Sequence, residues 1–298
     1  MARAALIVNP RASRVTPGLV AAVERELGGV ETRFTRARGH ASELAREAAA
    51  RNERIYVFSG DGGFNEVVNG VASPRVALGF IPGGGTSVLP RALGLPRDPV
   101  ACARLLARSQ RTRTISLGRV NGRRFTFSAG LGLDAELVRR VDARGRGRGR
   151  RPGDLAFGWE LVRLLARRHG RLRPSLTVPG HGRVAFALVA NGDPYTYLSR
   201  LPVRVAPGAR FEAGLDLVAP IELRLSRLPR AAYSVLVQPT HTRRPWVLHV
   251  HDADALEIVC DAPTPLQADG EDLGDVTAAS FAAERGALRV LVSEIMRS

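Results

Sequence analysis

The chain has 298 residues, 45% hydrophobic and 24% charged, which suits a globular protein of one large or two ordinary domains. Its formal charge is +16 and every basic residue is arginine; with no lysine, a Walker A loop, a Schiff base and a protein-kinase strand lysine are excluded. Cys102 and Cys260 stand far apart, and the apolar run in MARAALIVNP is too short for a leader or a span, so the expectation is a reduced, cytoplasmic chain that does not cross a membrane.

AALIVNP (residues 4–10) reads as a short buried strand ended by Asn-Pro. Residues 17–27 form a helix with Pro17 in its first turn, and ETRFTRA (31–37) is a second strand. An alanine-rich helix over 40–52 has Ser42 as its candidate cap. RIYVFSG (54–60) is the third strand, followed by a helix opening at Asn65 or Glu66. RVALGFIPGG (75–84) is the fourth strand, TSVLPRALGL a turn and short helix, and residues 98–110 a helix with Asp98 as cap and Pro99 at its first position. Strand and helix thus alternate at least four times, which predicts an α/β domain with a parallel sheet covered on both faces. Ligands of such sheets sit beyond the strands' carboxyl ends, where NPRAS, SGDGG and PGGGT all fall.

From residue 113 the texture changes. Alternating runs appear, with Asn121-Gly122 as a hairpin turn, one helical patch at 154–170, and then strands punctuated by Pro and Gly. This predicts an antiparallel, all-β second domain, a sandwich sharing a tight cleft with the first. The stretch ARGRGRGRRPGD (143–154) cannot build a core and reads as a loop, either solvated or in contact with an anionic surface. No nucleic-acid partner is expected, since aromatics make up 5% of the chain and none interleaves with that run. His249 and His251 read as polar residues on one strand face: a Zn²⁺ site needs a third ligand, and none is clearly spaced for it.

In SGDGGFNEVVNG (59–70), Gly60, Gly62 and Gly63 let backbone N–H groups approach a phosphate with no Cβ in the way, and a following helix adds its positive end. Asp61 makes sense if a cation such as Mg²⁺ stands between it and the phosphate, if it takes a proton, or if it accepts from a loop donor. With GGGT after the next strand, the pair of turns points to a nucleotide-phosphate site with metal chemistry nearby.

These stretches resemble the diacylglycerol kinase catalytic family, which includes bacterial lipid kinases and sphingosine kinases. SGDGGFNEVVNGV resembles its GGDGTxNEVxNG signature, LGFIPGGGTSVLPRALGLP its second loop, ISLGRVNGRRFTFSAGLGLDAELVRRV its central segment, LQADGEDLG its late DGE motif, and IVNPRAS its opening strand end. The resemblance implies a nucleotide-binding α/β domain over 1–112, completed by a tail from about 285–298, and a lipid-binding β-sandwich over 113–284, with ATP held between them. It places ATP contacts on Asn9, Pro10, Arg11, Ala12, Ser13 and Thr35, on Ser59, Gly60, Asp61, Gly62, Gly63, Phe64, Asn65 and Glu66, and on Gly84, Gly85 and Thr86. Asp269 and Glu271 fall at the catalytic position, one of them taking the proton from a lipid hydroxyl, with Asp61 helping to hold Mg²⁺-ATP.

Three departures stand out. Gly63 replaces the usual Thr. Ser87-Val88-Leu89-Pro90-Arg91 lacks the family's Asn-Asp pair. The structural Mg²⁺ loop DGxLD reads EAGLDL, with Ala213 at a ligand aspartate, leaving Leu215 and Asp216 as metal positions. The implied function is ATP-dependent phosphorylation of a lipid hydroxyl, in diacylglycerol or a sphingosine-like molecule. The implied partners are the lipid and an anionic membrane reached through arginines at the inner membrane face, and a homodimer is compatible with the pattern. The alternatives are an NAD-kinase-like enzyme and a decayed nucleotide- or membrane-binding module.

Overall fold

A computed structural model describes residues 4–71, 74–145 and 154–293. The chain divides into two compact units, Met1–Leu117 with Arg285–Ser298, and Gly118–Glu284.

The first unit runs β1 (Ala4–Val8), α1 (Pro17–Leu27), β2 (Glu31–Phe34), α2 (His40–Ala49), β3 (Arg54–Ser59), α3 (Asp61–Gly70), β4 (Ala77–Pro82), α4 (Val88–Ala92) and α5 (Pro99–Arg108). The strands pair in parallel in the order β4-β3-β1-β2. β1, β3 and β4 read as apolar runs because both faces of such a sheet are covered: Leu6, Ile7, Ile55, Phe58, Leu78 and Ile81 are all buried. Each such side chain contributes about 1.5–3 kcal/mol on burial.

Helix ends follow local chemistry. Oγ1 of Thr16 accepts the Leu19 N–H at 3.3 Å ahead of Pro17, and Oδ1 of Asp98 accepts the Ala101 N–H at 2.8 Å ahead of Pro99. At α2 the expectation of a Ser42 cap is corrected. The cap position is Gly39, at φ +84°, and the acceptor comes from another helix: Oε2 of Glu66 takes the Ala41 N–H at 3.2 Å.

The second unit contains the rest of β5 (Thr112–Val120), then β6 (Arg123–Phe125), β7 (Ser128–Leu131), α6 (Leu133–Gly145), α7 (Asp154–Arg167), β8 (Arg171–Leu172), β9 (Leu176–Val178), β10 (Gly182–Val184), β11 (Ala187–Ala190), β12 (Thr196–Leu198), β13 (Leu201–Val203), β14 (Leu215–Pro220), β15 (Leu223–Arg224), α8 (Leu228–Leu236), β16 (Val247–Ala253), β17 (Ala255–Ala268) and β18 (Glu271–Leu291). The antiparallel order is β16-β14-β11-β7-β17-β18, and β12–β13 and β8–β15 form separate ribbons. One apolar core joins these strands, with Phe125, Leu131, Val189, Leu217, Ile258 and Phe281 among its buried members. Beyond Glu284, β18 leaves this unit; its Arg289 and Val290 lie parallel to Ala77 and Leu78 of β4.

Asn121 and Gly122, at φ +46° and +86°, form the expected hairpin turn between β5 and β6. The expected antiparallel β domain is present; α6 and α8 join the foreseen α7, and LDLVAPIELRL breaks into β14 and β15. The Arg-Gly reading falls largely outside the described residues: 143–145 close α6, Asp154 opens α7, and 146–153 are not described. Among the described residues, no helix is long and apolar enough to cross a membrane.

Candidate functional site

The carboxyl ends of β1, β2, β3 and β4 deliver Asn9, Thr35, Gly60 and Gly83 to one edge of the first unit's sheet. The N–H of Asn9 donates to the Phe58 carbonyl at 3.0 Å, that of Thr35 to Val8 at 2.9 Å, and that of Gly83 to Ser59 at 2.7 Å, so the turns share the strands' ladder. The side chain of Asn9 accepts the Arg11 N–H at 3.0 Å, folding 9–12 into a compact turn with Pro10, Arg11 and Ser13 exposed and Ala12 half-buried. Beside it, Pro10, Val15, Pro17, Val20 and Phe34 help line an apolar groove of about 430 Å³.

α3 starts at Asp61, four or five residues earlier than expected. Gly60 is its extended cap residue, with no side chain capping the helix, so Gly62 and Gly63 lie in the first turn, where N–H groups have no intrahelical acceptor. The two glycine turns touch at Gly60 and Gly84: a Cβ added to Gly84 would stand 2.9 Å from the Gly60 Cα. Gly85 is exposed and Thr86 half-buried, while Ser87, at φ +49°, closes the second turn with its hydroxyl on the Gly84 carbonyl at 3.2 Å. Oδ1 of Asp61 accepts the Leu89 N–H at 3.4 Å, tying α3 to α4. Of the three roles open to Asp61, accepting a backbone donor is thus built into the fold, and the donor belongs to α4 rather than to a loop.

Other predicted contacts divide by direction. Phe64 is wholly buried and packs edge-on against Phe80, with centroids 5.2 Å apart. Asn65 is buried, its carbonyl and Oδ1 both accepting from Asn69, and Glu66 serves α2. These three hold the turn from beneath; only the backbone ahead of them faces outward.

Ser59 is buried, and among the described residues its Oγ has no hydrogen-bond partner. A Cβ built on Gly63 would fall 2.0 Å from that Oγ. The hydroxyl missing from position 63 is therefore supplied, in nearly the same space, from position 59.

In the second unit, Asp269 sits at φ +50°, almost wholly buried. Its Oδ2 accepts from the N–H and hydroxyl of Thr126 at 2.7 and 2.8 Å, and its Oδ1 from the N–H groups of Phe127 and Ser128 at 3.0 and 3.2 Å. A carboxylate with four donors anchors the turn that carries it. Glu271, two residues on, is partly exposed and pairs with Arg123.

A second brace lies behind the turn. Asp134 is half-buried and accepts from the Tyr195 hydroxyl at 2.6 Å and from Nε2 of Gln267 at 2.5 Å, while Oε1 of Gln267 accepts the Gly270 N–H at 2.8 Å. Burial pushes the Asp134 carboxyl above its ordinary range, and the Tyr195 and Gln267 bonds oppose this. Gly130 makes the arrangement sterically feasible, since a Cβ there would stand 2.1 Å from Oδ2 of Asp134. Reading the sequence alone missed Arg123, Thr126, Asp134 and Gln267; the glycine-spaced AGLGLD of 129–134 was the available signal.

At the expected Mg²⁺ loop, Leu215 is a core side chain, and Ala213 offers no side-chain oxygen. Asp216, fully buried, is faced by the imidazoles of His249 and His251 rather than by oxygens. Burial pushes its carboxyl up, and His249, His251 and the Asp252 N–H outweigh this, holding it below the usual carboxylate range. Mg²⁺ seeks an octahedron of oxygens, which this donor set does not supply.

Residues 3–120 match the family model "Diacylglycerol kinase catalytic domain". The chain is 39% identical over 146 residues to a diacylglycerol kinase of Bacillus subtilis, covering 46% of this chain and 48% of that protein. It is 33% identical over 133 residues to a diacylglycerol kinase of Staphylococcus saprophyticus, covering 41% and 43%. The matches thus span about half the length of these curated relatives or less. A crystal structure of a diacylglycerol kinase from Bacillus anthracis aligns with a TM-score of 0.68 over 98% of this chain and 97% of that one, at 20% identity, a likeness of fold. Residues 3–120 are thus similar to the catalytic domain of diacylglycerol kinases.

Proposed function

We propose that the protein transfers the γ-phosphoryl group of MgATP to a lipid hydroxyl, as an enzyme peripheral to a membrane surface. The observation that carries this reading is the uncapped N-terminus of α3 set against a second glycine turn at the neighbouring strand end. First-turn N–H groups, which have no intrahelical acceptor, and the helix's positive end favour phosphate oxygens there. The exposed Arg11 and Arg36 near the same strand ends supply positive charge that no lysine can. The apolar groove beside Phe34 suits a nucleobase.

In phosphoryl transfer the protein chiefly positions the reactants and stabilises charge. Glu271 takes the proton of the lipid hydroxyl as its oxygen bonds to the γ-phosphorus; the bond to the β–γ bridging oxygen breaks and ADP leaves with that electron pair. Arg123 orients the Glu271 carboxylate. Asp269, saturated by four donors, holds the turn on which Glu271 is mounted. The magnesium that accompanies ATP arrives with the substrate.

The test is incubation with labelled ATP and a panel containing diacylglycerol, sphingosine and NAD. Glu271→Gln should lower lipid phosphorylation by about 10²-fold or more, the usual cost of removing general-base catalysis, with unchanged thermal stability. Asp269→Asn should instead lower folding stability by about 1–3 kcal/mol, because it leaves backbone donors unpaired. Phosphorylated NAD without phosphorylated lipid, or MgATP binding with no product at all, would overturn the reading.

A further inference from the structure

In β16, VLHVHDA, the alternation of a strand sets His249 and His251 on one face. β14 pairs with it antiparallel, Val218 opposite His249, and the register is irregular between Leu215 and Leu217. Asp216 lies in that irregularity, the kind of local bend that re-aims a side chain. Its carboxylate stands between the two rings. Oδ1 and Oδ2 are 2.8 and 2.9 Å from Nδ1 of His251, and Oδ2 is 3.6 Å from Nε2 of His249.

The last distance is too long for a hydrogen bond. Nε2 of His249 is buried, and among the described residues it has no hydrogen-bond partner. One donor atom from each of the three residues falls within 4.8 Å of the others. Gly208 backs the group: a Cβ there would come within 3.4 Å of both Asp216 and His251. His251 is about half exposed, at 53% of its side chain, which leaves a way in from solvent.

We infer that Asp216, His249 and His251 bind a divalent transition metal of the Zn²⁺ class. Two imidazoles and a carboxylate suit Zn²⁺, Co²⁺ or Ni²⁺ and are poor ligands for Mg²⁺ or Ca²⁺. At metal–ligand bonds of about 2.0–2.1 Å, tetrahedral geometry sets neighbouring donors about 3.3 Å apart. The 2.9 and 3.6 Å separations from Oδ2 of Asp216 bracket that value, and all three donors lie within 4.8 Å of one another. The fourth position belongs to water on the exposed side of His251. Such an ion cross-links β14 to β16 where the family's DGxLD loop has lost its aspartate at Ala213. The inference is independent of the phosphoryl-transfer reading.

The test uses untagged full-length protein, stripped with a chelator and titrated with Zn²⁺, Co²⁺, Mg²⁺ and Ca²⁺ in turn. One equivalent of Zn²⁺ should bind with micromolar or tighter affinity and raise the melting temperature. Co²⁺ should give the intense visible bands of a four-coordinate ion, while millimolar Mg²⁺ and Ca²⁺ should give neither response. His249→Gln and His251→Ala should each weaken Zn²⁺ binding at least about tenfold with the circular dichroism spectrum unchanged. His181→Ala, on an exposed loop, should leave binding intact. Asp216→Asn removes a buried carboxylate, so the histidine variants carry the argument if it fails to fold. Absence of Zn²⁺ and Co²⁺ binding, or binding that survives both histidine substitutions, would leave only an Asp216–His251 hydrogen bond and overturn the proposal.

Discussion

Position 63 is occupied by glycine where the GGDGT signature that this stretch resembles has threonine, and position 59 by serine where it has glycine. The geometry makes these one change, since the space a side chain on Gly63 would enter already holds Oγ of Ser59. Gly63→Thr alone should overpack the turn and cost about 1–3 kcal/mol. Adding Ser59→Gly should recover most of that loss and return nucleotide affinity to the parent level. Thermal unfolding and ATP titration of the two variants decide this; a double variant no better than the single would show that the exchange is not compensatory. Asp269 and Glu271 make the same point in another form. Two carboxylates in one short motif divide into an anchor with four donors and a partner of Arg123.

Among the elements, α3 matters most. Glycines at 62 and 63 argue for a turn by propensity, yet the helix incorporates both in its first turn, with Asp61 favourably placed at its positive end. Its packing explains this: Phe64, Val67 and Val68 are buried against the sheet, and Glu66 caps α2. The contact of Gly60 with Gly84 depends on the absence of side chains from backbone facing backbone. Gly84→Ala should part the two turns and weaken ATP binding at least tenfold, while the fold, stabilised by the buried strands beneath, persists. Calorimetric titration checks this, and unaltered affinity would remove the turns from the nucleotide site. α6 escaped notice because AGLGL continues the alternation of the preceding strand; helical spacing begins only at Leu133, with Leu137, Val138 and Val141 following.

For the molecule as a whole, charge is the dominant quantity. A surplus of +16 carried entirely by arginine should draw the protein to anionic bilayers, each guanidinium near the surface contributing about 1 kcal/mol at low salt. Co-sedimentation with phosphatidylserine-containing vesicles should be strong at about 0.05 M salt and largely lost at about 0.5 M, as the screening length shrinks below the charge separation. Equal binding to neutral vesicles would show that the arginines serve solubility alone.

Much of this protein could be read from its residues in order. Buried parallel strands announce themselves as apolar runs, Pro17 and Asp98-Pro99 as helix starts, and Asn121-Gly122 as a hairpin, because each rests on chemistry within a few neighbouring positions. The glycine turns are legible for the same reason. What needed three dimensions was every pairing across long separations: Glu66 with Ala41, Ser59 with the space above Gly63, Asp134 with Gln267, and Asp216 with His249 and His251. Side-chain direction at a strand irregularity, and the donors that converge on a buried carboxylate, depend on which strands lie side by side. Chain order does not encode that locally, so the two histidines found their third partner only once β14 and β16 were paired.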